Sequence, residues 1–151
     1  MNPTIIGIDP GQSGGIAWID EHGKPCVEKM PETLADIWDL ISSFTFNAGF
    51  DRIRPVCKAY LEQVHSMPGQ GVASSFKFGQ GYGGLEMALI AAGIPFERVT
   101  PQKWQKALGC LTGGNKNVSK AKAQELFPSI KFTHATADAM LIAEYGRRAN
   151  K

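Results

Sequence analysis

The chain opens on an apolar run, Thr4 to Asp9, that ends on an acid and is followed by the turn formers Pro10-Gly11 and Gly14-Gly15. A second run, Gly15 to Asp20, and a third stretch, Pro25 to Met30, are separated by His22-Gly23-Lys24. Short apolar runs punctuated by glycine and proline predict strands, here three in an antiparallel meander. From Pro31 to Phe44 the period changes. Leu34, Ile37, Trp38 and Ile41 recur at helical spacing, with Glu32, Asp36 and Asp39 between them. Pro55 to Val64 is short and apolar and predicts a fourth strand, with Glu62 near its end. The glycine- and serine-rich stretch Gly69 to Gly84 leads into a predicted helix, Leu85 to Ala92, stopped by Gly93. Ile94 to Val99 reads as a fifth strand.

Thr100-Pro101 has the chemistry of a helix start: a capping hydroxyl, then a proline whose missing donor costs nothing there. The helix that follows contains Trp104 and Leu108. Gly109 to Asn117 reads as a loop, and Ser119 to Phe127 as a basic helix ended by Pro128. Thr133 caps a last helix, expected to run to about Tyr145 and stop at Gly146. Three strands followed by strand–helix units predict an α/β domain, a mixed sheet with helices on its faces.

At 151 residues the chain is expected to form one domain, residues 1–151, large enough to bury a core without disulfides or metals. Its three cysteines, Cys26, Cys57 and Cys110, are odd in number and widely spaced, which fits neither a disulfide framework nor a zinc site. They read as reduced thiols. With no signal-like start and no apolar span of membrane length, a cytoplasmic protein with no membrane partner is expected. The net charge of +2 hides an asymmetry. Residues 1–100 hold 7 Lys/Arg against 11 Asp/Glu, a balance of −4, whereas residues 101–151 hold 9 against 3, a balance of +6. A basic C-terminal third can attract phosphates, and it can equally be a solvated helix surface.

Three acids stand apart by their setting. Asp9 ends the first strand, Glu62 lies near the end of the fourth, and Asp138 sits among Thr136, Ala137 and Ala139 on the last helix. A lone acid at a strand end is ordinarily a turn former or a cap. Three of them drawn to one point would repel each other, and a hard divalent cation with oxygen ligands, magnesium or manganese, would resolve that repulsion.

Taken in order, these segments resemble the RuvC-type Holliday-junction resolvases of the RNase H-like nuclease superfamily. Gly7-Ile8-Asp9-Pro10-Gly11 resembles their opening strand and Leu61-Glu62-Gln63-Val64 their second acidic segment. Phe78-Gly79-Gln80-Gly81-Tyr82-Gly83-Gly84 resembles the entry to their central helix, and Ala137-Asp138-Ala139 the terminal acidic helix. Pro95 to Val99 and Pro101 to Lys106 are similar to the strand and segment between. The resemblance spans about residues 5 to 146.

It implies a five-stranded sheet, three antiparallel strands followed by two parallel to the first. It also implies a homodimeric, magnesium-dependent endonuclease that makes paired cuts in four-way DNA junctions. Asp9, Glu62 and Asp138 would ligate two metal ions, with manganese an acceptable substitute. The family's fourth ligand lies one turn before the last acid. Ala135 holds the expected place, so His134 becomes the candidate. His65, with Met67 beside it, stands where many members carry an aromatic wedge, and Phe76, Phe78 and Tyr82 are alternatives. Lys103, Lys106, Lys116, Lys120 and Lys122 are candidates to hold the DNA backbone, with Lys116 and Lys120 preferred. The dimer face is expected on the helix Leu85 to Ala92.

Gly79, Gly81 and Gly84, with Glu97 beyond them, also match a dinucleotide fingerprint. No convincing strand precedes them and too little chain follows for a second half-sheet, so no nucleotide cofactor is expected. Two other functions stay open: a nuclease acting on other branched DNA or on RNA–DNA hybrid, and a structure-selective DNA-binding protein without catalysis.

Overall fold

The structure, a computed structural model, describes residues 2–46, 56–65 and 68–151. Its elements follow in the order β1 (Thr4–Asp9), β2 (Gly15–Ile19), β3 (Pro25–Lys29), α1 (Leu34–Phe46), β4 (Cys57–Glu62), α2 (Val72–Ala92), β5 (Phe96–Val99), α3 (Pro101–Ala107), α4 (Lys116–Leu126) and α5 (His134–Ala149). The five strands form one sheet in the order β3-β2-β1-β4-β5. β1 pairs antiparallel with β2, and β2 with β3; β4 runs parallel to β1, and β5 parallel to β4. The expected mixed α/β architecture is therefore present, with helices on both faces. All three cysteines are free. Among the described residues no helix is long and apolar enough to cross a membrane.

Strand alternation sorts the core into two layers. Ile6 and Ile8 of β1 and Ala59 and Leu61 of β4 point to one face, where they meet Ile37 and Ile41 of α1 and Leu85 and Leu89 of α2. Ile5 and Tyr60 point to the other face and meet Trp104, Ala139, Met140 and Ala143 under α3 and α5. Because successive side chains alternate, Asp9 and Glu62 fall on the α5 side, in phase with Ile5 and Tyr60. Parallel pairing of Ile8 with Leu61 then sets the two acids side by side at neighbouring strand ends.

Glycine sets the closest approach in this stack. A Cβ at Gly7 would lie 2.2 Å from the Ala139 carbonyl oxygen and 2.3 Å from the Ala143 nitrogen. Here α5 lies directly on the backbone of β1. Gly146 behaves likewise, since a Cβ there would come within 2.3 Å of the Tyr60 ring.

Several element boundaries differ from the sequence expectation: β5 starts at Phe96 rather than Ile94, α3 ends at Ala107 with Leu108 as its cap, and four helix boundaries move further. α1 starts at Leu34, because the Thr33 hydroxyl accepts a bond from the Asp36 N–H at 3.1 Å and so caps it. α2 begins at Val72 and takes in nearly the whole glycine-rich stretch. Ser75, Phe78, Tyr82, Leu85, Leu89 and Ala92 form a seam of alternating three- and four-residue steps that runs unbroken through it, turned toward the molecule. The dinucleotide-like glycines lie inside this helix, not in a strand-to-helix turn. α4 starts at Lys116, after the cap Asn115. α5 continues past Gly146 to Ala149, because that glycine makes room for Tyr60 and ends nothing. The strand start expected at Pro55 and the position Met67 lie outside the described residues.

Candidate active site

Asp9 closes β1, Glu62 closes β4, and Asp138 lies in the second turn of α5. Gly7 brings α5 onto β1, so Asp138 is carried to the strand end that bears Asp9. The electrostatics record the convergence. Burial, and then the charges of Glu62 and Asp138, push the Asp9 carboxyl up to about 8. Burial first, offset by a hydrogen bond from Trp104, then raised again by Asp138, leaves Glu62 at about 7. Asp138 is raised by burial, against a hydrogen bond from Ser119 and the charges of Lys116 and His134. Buried groups with opposed charge demands are a common mark of a functional site.

Glu62 is the best-held of the three. Its carboxylate accepts a 2.7 Å bond from the indole Nε1–H of Trp104, which is fully buried. The Tyr82 hydroxyl donates to the Glu62 carbonyl at 3.2 Å, and the next amide, Gln63, bonds to Val99 at 2.8 Å. Trp104 was read from sequence only as part of a helix. Its link to Glu62 spans 42 residues, and its one visible signal was an indole N–H that would need a partner if buried.

The candidate residues do not all gather here. Lys116, at the start of α4, places its charge within range of all three acids. Lys120 lies one turn later on the same helix. His134, the first residue of α5, is exposed and acts electrostatically on Asp138. Lys122 pairs with Glu125 at 3.3 Å. Lys103 is exposed and its charge bears on Glu97, which pairs with Lys58. Lys106 is exposed in the last turn of α3. Since Trp104 points inward, a 3.6-residue period turns positions 103 and 106 away from that direction. His65 is exposed, three residues beyond Glu62. Phe78 stacks on Tyr82 at 6.2 Å, whereas Phe76 is exposed.

The donor set suits a hard divalent cation: oxygen ligands, largely desolvated, that repel one another when ionised. Among the described residues, however, no three His, Cys, Asp or Glu side chains are gathered closely enough to hold a metal ion as they stand. The acids share one electrostatic environment without forming a closed nest. Repulsion between ionised carboxylates opposes closer gathering.

No protein-family model and no curated protein matches the chain. Solved structures do. Thermus thermophilus RuvC in complex with a Holliday junction substrate superposes with a TM-score of 0.65 at 19% identity, covering 98% of this chain and 95% of that one. T. thermophilus RuvC determined separately gives 0.65 at 20% identity, covering 97% of each chain. The yeast mitochondrial Holliday junction resolvase Ydc2 gives 0.50 at 16% identity, covering 98% of this chain and 80% of that one. The superpositions run end to end, and over nearly its whole length this chain has the fold of the RuvC resolvases.

Proposed function

We propose that the chain is a divalent-metal-dependent endonuclease that resolves four-way DNA junctions by phosphodiester hydrolysis. One observation carries the reading: buried Glu62 and half-buried Asp9 and Asp138 stand where α5 crosses the ends of β1 and β4 in a RuvC-type fold, close enough to act on one another electrostatically. Asp9, Glu62 and Asp138 would hold magnesium or manganese, with His134 as a fourth donor. When bound, the metal supplies an activated water and charge stabilisation for the leaving oxygen. The residues do the rest. Trp104 holds one Glu62 oxygen and leaves the other free to ligate. Lys116, with Lys120 one turn on, offers positive charge to the phosphate beside the acids. The basic balance of residues 101–151 favours the DNA backbone, so binding should weaken steeply with salt.

A homodimer matches the two-fold symmetry of a junction. The α2 surface supports it, on the expected helix and the turns before it. Leu85, Ala88 and Leu89 are buried in the protein's own core, whereas Phe76, Met87 and Ile90 are exposed along the opposite side, with Gly79 and Gly83 open between them. The deciding experiment compares cleavage of synthetic four-way junction, fork, flap and RNA–DNA hybrid, with and without magnesium, by the wild type and Asp9→Asn. Paired nicks in the junction that need both metal and Asp9 support the reading. Binding without metal-dependent nicking would leave a structure-selective DNA-binding protein. Preference for another substrate would leave a nuclease of different purpose.

A further inference from the structure

On the far side of the sheet end from the acids lies a cavity of about 560 Å³, within the size range of small-ligand sites. It is bounded by the β1–β2 turn, the start of α1 and the first half of α2. Its floor is apolar, made by Met30, Ile37, Phe78 and Leu85. Its rim carries the amides of Gln12 and Gln80 and the hydroxyls of Ser13 and Ser74. Its charges cancel, with one acid, Glu32, and one base, Lys77. Such a lining suits a neutral, flat, hydrogen-bonding ligand better than a phosphate.

The position narrows the choice. Pro10 to Gln12 follow Asp9 directly, a chain distance of at most about 4–11 Å, which a DNA strand covers in about one to three nucleotides at roughly 3.4 Å per step. Phe78 lies over Gly11, whose Cβ would meet its ring at 3.2 Å in a backbone of φ +96°. Phe78 also stacks on Tyr82, and Tyr82 bonds to the Glu62 backbone. The cavity is thus joined on both sides to the strand ends that bear the acids.

We propose that this cavity takes one unpaired DNA base, displaced from the junction close to the scissile phosphate, and reads it through Gln12 and Gln80. This rests on the junction-nuclease reading and adds a sequence preference to it. A side-chain amide offers a donor and an acceptor side by side, the pattern that pairs with the edge of adenine. Phe78, the one aromatic ring in the floor, accepts the base face. Loss of one such paired contact lowers discrimination by about tenfold to hundredfold.

The experiment places 2-aminopurine, a fluorescent adenine analogue, at each of the three positions on either side of the cut in a four-way junction. Asp9→Asn protein is used in the binding assay so that the junction stays whole. One position should change its fluorescence severalfold on binding. Gly81→Leu, made in the Asp9→Asn background for binding and alone for cleavage, then places a branched side chain in the cavity. Gly81 lines it, and a Cβ there meets nothing within 4 Å. Leucine is also a better helix former, so the melting temperature should hold or rise. The variant should lose the fluorescence response and the preference among cut-site sequences while keeping junction affinity within about threefold, because contacts to the phosphate backbone carry most of the affinity. Gln80→Ala, made singly, should flatten the preference while still cutting. Junctions bound and cut with no responding position, or a response unchanged in Gly81→Leu, overturn this inference and leave the nuclease reading standing. A wild type that neither binds nor cuts junctions overturns both.

Discussion

Replacing Trp104 with phenylalanine tests whether the indole sets the working state of the site. The change keeps an aromatic ring in a fully buried position and removes the N–H that meets Glu62 at 2.7 Å. A hydrogen bond to a charged acceptor contributes about 1.5–3 kcal/mol. At about 1.4 kcal/mol per pH unit, its loss should move Glu62 upward by about one to two units. Burial already holds this carboxyl at about 7, so in the variant it would be mostly protonated at neutral pH. A protonated carboxyl is a poor metal ligand. Metal-dependent cleavage at pH 7 should therefore fall by about tenfold or more and recover as pH rises toward 9. The assay is a cleavage rate profile from pH 6 to 9 at saturating magnesium, with Leu108→Ala as comparison. Leu108 is buried in the same layer, so its truncation should cost stability without moving the profile. If Trp104→Phe and Leu108→Ala share the wild-type profile and differ only in stability, the indole is packing alone and the reasoning fails.

Metal-free stability should depend on pH with an unusual sign. Asp9 is raised from 3.8 to about 8 and Glu62 from 4.5 to about 7, so between about pH 4 and 8 the folded state binds more protons than the unfolded one. The site's contribution is greatest at the acid end and is lost as pH rises, by up to about 1.4 kcal/mol per pH unit for each extra proton. Urea unfolding in EDTA checks this, and magnesium should restore more stability at pH 8 than at pH 5. Gly7→Ala forces a methyl onto the α5 backbone and should cost at least about 2 kcal/mol together with most of the activity, read by urea midpoints and junction cleavage. Lys116→Ala should slow cleavage by about tenfold or more, as loss of one preorganised charge does. Lys106→Ala, in the last turn of α3, should stay within about twofold, since an exposed charge away from the acids contributes little.

The strands were legible because each is a short apolar run closed by turn residues, whereas the pairing of the fourth with the first came only with the family resemblance. The start of α2 was not. Four glycines between Gly79 and Gly84 suggest a loop, yet the Phe78–Tyr82–Leu85–Leu89 seam buries enough to override their poor propensity. Gly146 misled for the opposite reason: a helix-stop residue in sequence is a clearance residue in space. The lysines divide by helix direction, which charge patterning cannot supply. Lys116 begins a helix aimed at the acids, while Lys103 and Lys106 flank a tryptophan that points inward. The Trp104–Glu62 bond could not be read locally, because it joins residues that meet only after β4 and β5 have paired.

The seat of α5 on Gly7 has a consequence for how such a chain can vary. Peptide atoms meet peptide atoms there, so the span between Asp9 and Asp138 is ruled by parts that no substitution elsewhere can lengthen or shorten. The hydrophobic layers above and below are free to exchange one residue for another, provided that single hydrogen-sized side chain stays.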